Sequence, residues 1–310
     1  MNKKWRITIP VSLKDKIGLS IHTEDERLLK MVSLNWGEDD SSALKELNLY
    51  IDSEGRSAYS IERLQGDSWL CKGVYHYSSL KVAIRGILSD AEIQDTIFIH
   101  GCSFELQMGN NRRGVALIGA SGAGKTTLVS GLVNEEEMNF GIVNDDWGAM
   151  NISEKIAVST EENYLHMKLK SAESIQPCFT KESMIMLEEY RDGMRGFTAP
   201  DKVYPYRITH TKIFFWIILI RNIKEQHYYK KIGIDEAIDI IINGSFSPFY
   251  NRKERFMNGA LILDSEEKIE YHKQILRCAL ENTKLILINN TGSEEELIGD
   301  FKAAISSGEL

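Results

Sequence analysis

The sequence predicts an α/β protein: a P-loop core of alternating strands and helices, preceded by a strand-rich N-terminal domain. Three observations predict it. Gly119-Ala120-Ser121-Gly122-Ala123-Gly124-Lys125-Thr126 fits the phosphate-binding pattern G-x-x-x-x-G-K-[ST]. The apolar run 114–118 enters this loop and residues 126–133 leave it at helix-like spacing, so strand, loop and helix come in the required order. Beyond residue 113, strand and helix patterns alternate, as in an α/β core.

In chain order, residues 5–9, 44–51, 58–64 and 69–77 carry β-branched or aromatic residues between turn signals and read as strands. Residues 79–88 have helical spacing. Residues 96–105 are strand-like and lead to an Asn110-Asn111-Arg112-Arg113 turn before the P-loop strand. Strands follow at 140–143, 212–220 and 284–288, and helices at 235–242, 269–280 and 293–305. The last helix opens with Ser293 followed by Glu296, a capping box. The apolar run of eight residues from Ile213 to Ile220 is too short to span a bilayer as a helix and reads as a central strand buried on both faces. A soft boundary near residue 95 divides the chain into an N-terminal domain, 1–95, and a P-loop domain, 96–310.

With 43% hydrophobic and 26% charged residues the composition is that of a globular protein. The net charge of −8 argues against a general nucleic-acid or anionic-membrane binder, without excluding a local basic pocket. Met1-Asn2-Lys3-Lys4-Trp5 lacks the apolar stretch of a signal peptide. Cys71, Cys102, Cys178 and Cys278 lie far apart with no C-x-x-C spacing, so a reduced, cytoplasmic setting without a zinc site is expected.

The loop glycines let successive N–H groups point at phosphate oxygens. Lys125 sets a positive charge against the β- and γ-phosphates, the Thr126 hydroxyl suits Mg²⁺, and the helix N-terminus, with Thr127 beside it, faces the same anion. ATP and Mg²⁺ are the expected cofactors. Phe140-Gly141-Ile142-Val143-Asn144-Asp145-Asp146 is an apolar strand ending in two carboxylates, which suits a metal ligand and a base for an attacking hydroxyl. His100 lies on the strand before the P-loop strand, where a core role competes with a catalytic one. His166, Lys168 and Lys170 alternate along a strand-like segment. A basic strip for an acidic substrate is one reading, and the polar outer face of an edge strand is the simpler one. Arg195, Arg207, Arg252 and Arg255 are candidates to stabilise a transferred phosphate, the last two following a Gly-, Ser- and Pro-bearing segment, 244–250, that suits a lid.

A His-Gly strand, a P-loop and an Asp-Asp strand end, in that order, resemble HPr kinase/phosphorylase, the bacterial protein-serine kinase. Asn144-Asp145-Asp146-Trp147-Gly148 also resembles the matching strand end of ATP-dependent phosphoenolpyruvate carboxykinase, which shares that nucleotide-binding architecture. The resemblance covers about residues 97–148 and, more weakly, the rest to about 222. It implies an HPr kinase/carboxykinase-like P-loop core, with Lys125 and Thr126 on phosphate and metal. Asp145 and Asp146 would share metal and base duties, and His100 would lie at the γ-phosphate or metal. Met194-Arg195-Gly196-Phe197 resembles part of the HPr kinase signature, which adds Arg195 to the catalytic set. The signature's Glu two places before Arg-Gly is replaced by Gly193, with Glu188 and Glu189 as the nearby acids, so the family's acidic contact and phosphorolysis are not implied.

The leading expectation is an ATP-dependent kinase acting on a hydroxyl, a serine of a peptide or protein. The alternatives are a kinase of a small molecule such as a free amino acid, and a non-catalytic nucleotide-binding regulator. Carboxykinase chemistry is disfavoured by length and by missing oxaloacetate-binding residues. A GTPase switch is disfavoured by the absence of N-K-x-D, and a transporter ATPase by the absence of L-S-G-G-Q. HPr kinase-type proteins are often oligomeric, which admits a homo-oligomer. The first 95 residues carry no catalytic candidate and are the expected place for acceptor recognition.

Overall fold

The computed structural model describes residues 3–39, 41–52, 60–74, 76–108, 110–119, 122–133, 139–160, 162–175, 179–190, 193–199, 202–204, 206–243 and 266–307. The chain is a mixed α/β protein with three sheets and seven helices among the described residues.

The first sheet has the order β1-β2-β3-β5-β4, from β1 (Lys3–Pro10), β2 (Lys16–Thr23), β3 (Lys45–Asp52), β4 (Ser60–Arg63) and β5 (Ser68–Lys72). Helices α1 (Glu26–Asn35) and α2 (Tyr77–Asp90) share its core. The strand expected to run to residue 77 stops at Lys72. Gly73 takes φ +72°, a left-handed turn that ends the extended run, and Tyr77 begins α2. β2 and α1 were not anticipated. Leu19, Leu47, Trp69, Leu80 and Ile84 belong to a buried cluster that continues through Phe98, Trp147, Ala149 and Phe197, so the core of this unit extends onto strands of the other two sheets.

The second sheet carries the P-loop. It runs β10-β9-β6-β7-β14-β16-β15, with β8 also paired to β6 and β10 also to β14. Its strands are β6 (Thr96–Met108), β7 (Asn111–Gly119), β8 (Gly141–Asn144), β9 (Trp147–Asn151), β10 (Ile156–Val158), β14 (His210–Ile220), β15 (Tyr228–Lys231) and β16 (Lys284–Asn289). The turn expected at 110–113 is shorter, because Asn111 to Arg113 already pair with β6. β7, β14 and β16 are mutually parallel. Their side chains divide by strand period between two cores. Leu117, Ile217 and Ile286 pack with α3 (Lys125–Val133), α4 (Leu169–Ile175) and α7 (Glu294–Ser306) on one face. Ile118, Ile218 and Leu287 pack with α5 (Ile234–Asn243) and α6 (Glu266–Leu280) on the other. The core is therefore a three-layer arrangement, with its central strand β14 buried on both faces as its sequence predicts. The capping box of α7 is present: Glu296 N–H donates to Ser293 Oγ (3.2 Å) and Ser293 N–H to Glu296 Oε2 (2.7 Å).

A three-stranded sheet, β11-β13-β12, is built from β11 (Leu165–Lys168), β12 (Ile185–Tyr190) and β13 (Gly193–Thr198). β11 is the edge strand anticipated for the Lys168 segment. It ends at Lys168, so Lys170 lies on α4 and not on the strip. No helix among the described residues is long and apolar enough to cross a membrane.

Candidate active site

One short stretch of β6 organises the site. Ser103 pairs with Asn144 at the end of β8, and His100 pairs with Trp147 at the start of β9. The pairing of Asn144 and of β9 along β6 keeps one register across Asp145-Asp146, which fall opposite Cys102 and Gly101, and β8 shifts by one residue beyond Ser103, where Phe104 pairs with Ile142. Gly101 also pairs with Ile118 of β7, one residue before Gly119 opens the P-loop. His100, the paired carboxylates and the P-loop therefore meet through backbone pairing alone. A Cβ on Gly101 would stand 2.3 Å from the Leu117 carbonyl oxygen, so only glycine lets β7 approach here.

The P-loop has the left-handed turns it needs at Gly122 (φ +83°) and Gly124 (φ +106°). Ala120 and Ser121 lie outside the described residues. Lys125 Nζ donates to the Gly119 carbonyl (2.6 Å), folding the lysine over its own loop. Asn290, just past β16, donates from Nδ2 to the Ala123 carbonyl (2.9 Å), and its backbone N–H donates to Ile220 at the end of β14. The loop is thus tied to the ends of both neighbouring strands. Sequence reasoning did not single out Asn290.

A cleft of about 440 Å³ collects the site, a size usual for small-molecule pockets. Gly122, Gly124, Lys125, Thr126 and Thr127 line it together with His100, Cys102, Asp145 and Asp146. Arg195, His166 and Lys168 line it as well, so the edge-strand face taken as plain polar surface opens on the cleft. Ala123 is buried beneath the loop, and Gly119 packs against β14, where a Cβ would lie 2.7 Å from the Leu219 carbonyl oxygen. Arg207 lies within 3.4 Å of Ser159 and is not in the lining. Arg252, Arg255 and the 244–250 segment fall outside the described residues.

The first 95 residues contribute two cations that the sequence reading missed. Lys81 and Arg85, four apart on α2, are only 4% and 8% exposed. Lys81 Nζ lies 3.4 Å from both Asp146 Oδ2 and Glu162 Oε1, and Arg85 Nη1 lies 3.8 Å from Asp146 Oδ2. Asn35 at the end of α1 donates to Glu162 (3.0 Å) and to the Tyr77 hydroxyl (2.7 Å), which fixes the network from behind. The available signal was two charges at helical spacing in a helix apolar on nearly every side.

These neighbours separate the two carboxylates. Desolvation would raise Asp146, but Lys81, the hydrogen bond from His100 (Nε2 to Oδ1, 3.4 Å) and Arg85 outweigh it and hold the carboxyl well below its usual range. Asp145 is raised, by burial and by the charge of Asp146, although the Tyr204 hydroxyl donates to its Oδ1 (2.5 Å). Burial, then the charge of Arg85, lowers His100 below the ordinary imidazole value, which keeps it neutral near pH 7. Burial also lowers Lys125, against the pull of Asp146 and Asp145. Glu188 on β12 stands directly opposite Arg195 on β13, whereas Glu189 stands opposite Met194 on the other face. Gly193 takes φ +116°, a conformation strained for a glutamate.

No protein-family model matches this chain, and no curated protein matches it.

Proposed function

We propose that the protein is an ATP-dependent kinase that transfers the γ-phosphate to a hydroxyl, a serine of a peptide or protein. The observation that carries this reading is the junction on β6, where the P-loop lysine, two carboxylates of unlike proton affinity and a neutral histidine share one cleft. The order of these motifs, which resembles HPr kinase, supports the same reading.

The donor set fits Mg²⁺. Thr126, Asp145 and Asp146 offer a hydroxyl and two carboxylates in one cleft, and this ion takes few protein oxygens alongside phosphate and water. Thr126 and Asp146 would hold it, and when bound it spreads the charge of the triphosphate. Lys125 leaves the Gly119 carbonyl for the β- and γ-phosphates. Asp145, the carboxylate with the higher proton affinity, takes the proton of the acceptor hydroxyl. The acceptor oxygen bonds to the γ-phosphorus as the bond to the β-phosphate oxygen breaks, releasing ADP. Lys81, Arg85 and His100 keep Asp146 anionic and fixed. Arg195 faces the charge that develops on the transferred group.

The test is mass spectrometry of serine peptides and hydroxyl metabolites incubated with the protein and ATP–Mg²⁺. A phosphate gained by an acceptor with the wild type and not with Lys125→Ala is expected. Binding of ATP–Mg²⁺ with neither hydrolysis nor transfer across the panel would replace the kinase with a nucleotide sensor.

A further inference from the structure

We propose that Glu162 is a positioning residue for the metal ligand Asp146, acting through Lys81, which the two carboxylates share. The inference rests on the kinase reading, in which Asp146 holds Mg²⁺, and adds to that site a residue from outside the cleft lining.

The sharing is even. Lys81 Nζ stands 3.4 Å from Glu162 Oε1 and 3.4 Å from Asp146 Oδ2. Asp145 reaches the same ammonium with its charge, and Arg85 opposes all three carboxylates there. Asp146 itself also faces Arg85 (3.8 Å) and the His100 ring (3.4 Å). An ammonium and a divalent cation compete for the oxygens of one carboxylate. A lysine committed to Asp146 alone would neutralise the charge that Mg²⁺ needs. Glu162, only 7% exposed, draws the ammonium from the other side. Asp146 is thereby held in place by Lys81 and still presents negative charge to the cleft.

The surroundings fix Glu162 in that position. Asn35 Nδ2 donates to the same Oε1 (3.0 Å), and Thr160 Oγ1 lies 3.5 Å from Oε2. Asn35 is fully buried and is itself held, accepting from the Tyr164 N–H at Oδ1 (2.8 Å) and from the Asn163 N–H at its carbonyl (2.8 Å). Trp36 Nε1 donates to the Thr160 carbonyl (3.3 Å). The same segment is clamped to the carboxylate turn. Thr160 N–H donates to Asn144 Oδ1 (3.1 Å), and Asn144 Nδ2 donates to the Val158 carbonyl (2.9 Å). Asn144 directly precedes Asp145, and a Cβ at Gly148 would stand 2.1 Å from its Nδ2, so a side chain there would push the amide off these bonds. Glu162 and the Asp145-Asp146 turn therefore share one frame, to which the first 95 residues supply Asn35 and Lys81. A buried carboxylate is costly to desolvate, and the ionic partner of this one is the lysine it shares with Asp146.

The test is calorimetric and needs no turnover. ADP affinity is measured on the full chain in EDTA and in saturating Mg²⁺, and the ratio gives the gain due to the metal. Glu162→Gln should reduce that gain about ten-fold and leave the affinity in EDTA within about two-fold of wild type. Glu162→Asp keeps the charge but withdraws it by one methylene. It should fall between the two, and it carries the test if the Gln variant does not fold. In a Lys81→Met background, Glu162→Gln should change the gain by less than about two-fold, because its effect passes through the lysine. A lower Tm with the gain intact would reduce Glu162 to a structural residue. Equal losses with and without Mg²⁺, an undiminished effect in the Lys81→Met background, or a wild type that gains nothing from Mg²⁺ would also overturn the role. With wild-type transfer to an acceptor observed, each of these results leaves the kinase reading standing. A reduced gain in the Glu162 variants, with transfer to no acceptor by the wild type, would keep the positioning role and overturn the kinase reading.

Discussion

Lys81 Nζ on α2 lies 3.4 Å from Asp146 Oδ2 beside the P-loop, although one residue belongs to the first sheet's unit and the other to the second sheet. The lysine is 4% exposed and shared with the buried Glu162. Removing the lysine takes the ion-pair partner from the buried Glu162, whereas the more exposed Asp146 keeps Arg85 and His100. Lys81→Met should therefore lower stability by about 3 kcal/mol in urea unfolding and lower kcat as well, whereas Lys81→Arg should recover most of both. Equal loss in the two variants would show that the site needs the shape of lysine and not its charge.

Replacing either Asp145 or Asp146 by Asn should cost on the order of 10²–10⁴ in rate, the range for loss of a base or of a positioned ligand. Lys125→Ala should abolish transfer. Near-native turnover by the double Asn variant, read by ADP release, would sink the active-site assignment.

Asn290 holds the P-loop at the Ala123 carbonyl. Asn290→Ala should weaken ADP–Mg²⁺ binding about five-fold, the worth of one lost hydrogen bond, with little change in kcat at saturating nucleotide. Gly124→Ala should be far worse, since the residue takes φ +106° and a Cβ would stand 2.2 Å from Asn290 Nδ2. Calorimetric affinities for the two variants check the ranking.

The unfolded imidazole of His166 titrates near 6.5, whereas in the fold its proton affinity is pushed down to about 3. Between those values the unfolded chain binds more protons, so stability from this site rises with pH. It is complete above about pH 6.5 and is lost progressively toward pH 3. Moving from pH 7 to 5 should lower Tm, and His166→Gln should reduce that drop by about 2 °C. Identical drops in scanning calorimetry would exclude His166 as the source.

The elements around the P-loop were legible because each carries a strong local pattern. The Gly119–Thr126 motif fixes strand, turn and helix together, and the run from Ile213 to Ile220 can only be a buried strand. Asp145-Asp146 was legible as a strand end, but its meeting with His100 depends on antiparallel register, which no local pattern encodes. The weaker elements escaped for the opposite reason. β12 and β13 are short and mix polar with apolar residues, and β2 follows β1 through a turn without a strong hairpin signal. Lys81 and Arg85 were hidden by chain distance, since α2 reads as an ordinary packing helix until Asp146 is placed beside it. Lys168 was legible as an edge-strand residue, yet which side of that edge faces a cleft is decided by tertiary packing.

The junction at His100-Gly101 makes β6 a length-locked strand. A single residue inserted or deleted between Ile99 and Ser103 would reverse which side chains face each layer and press a Cβ against the Leu117 carbonyl where Gly101 now sits. It would also separate the carboxylates from the phosphate loop in the same stroke. Close approach fixes the residue at Gly101, and strand register fixes the length of the stretch around it.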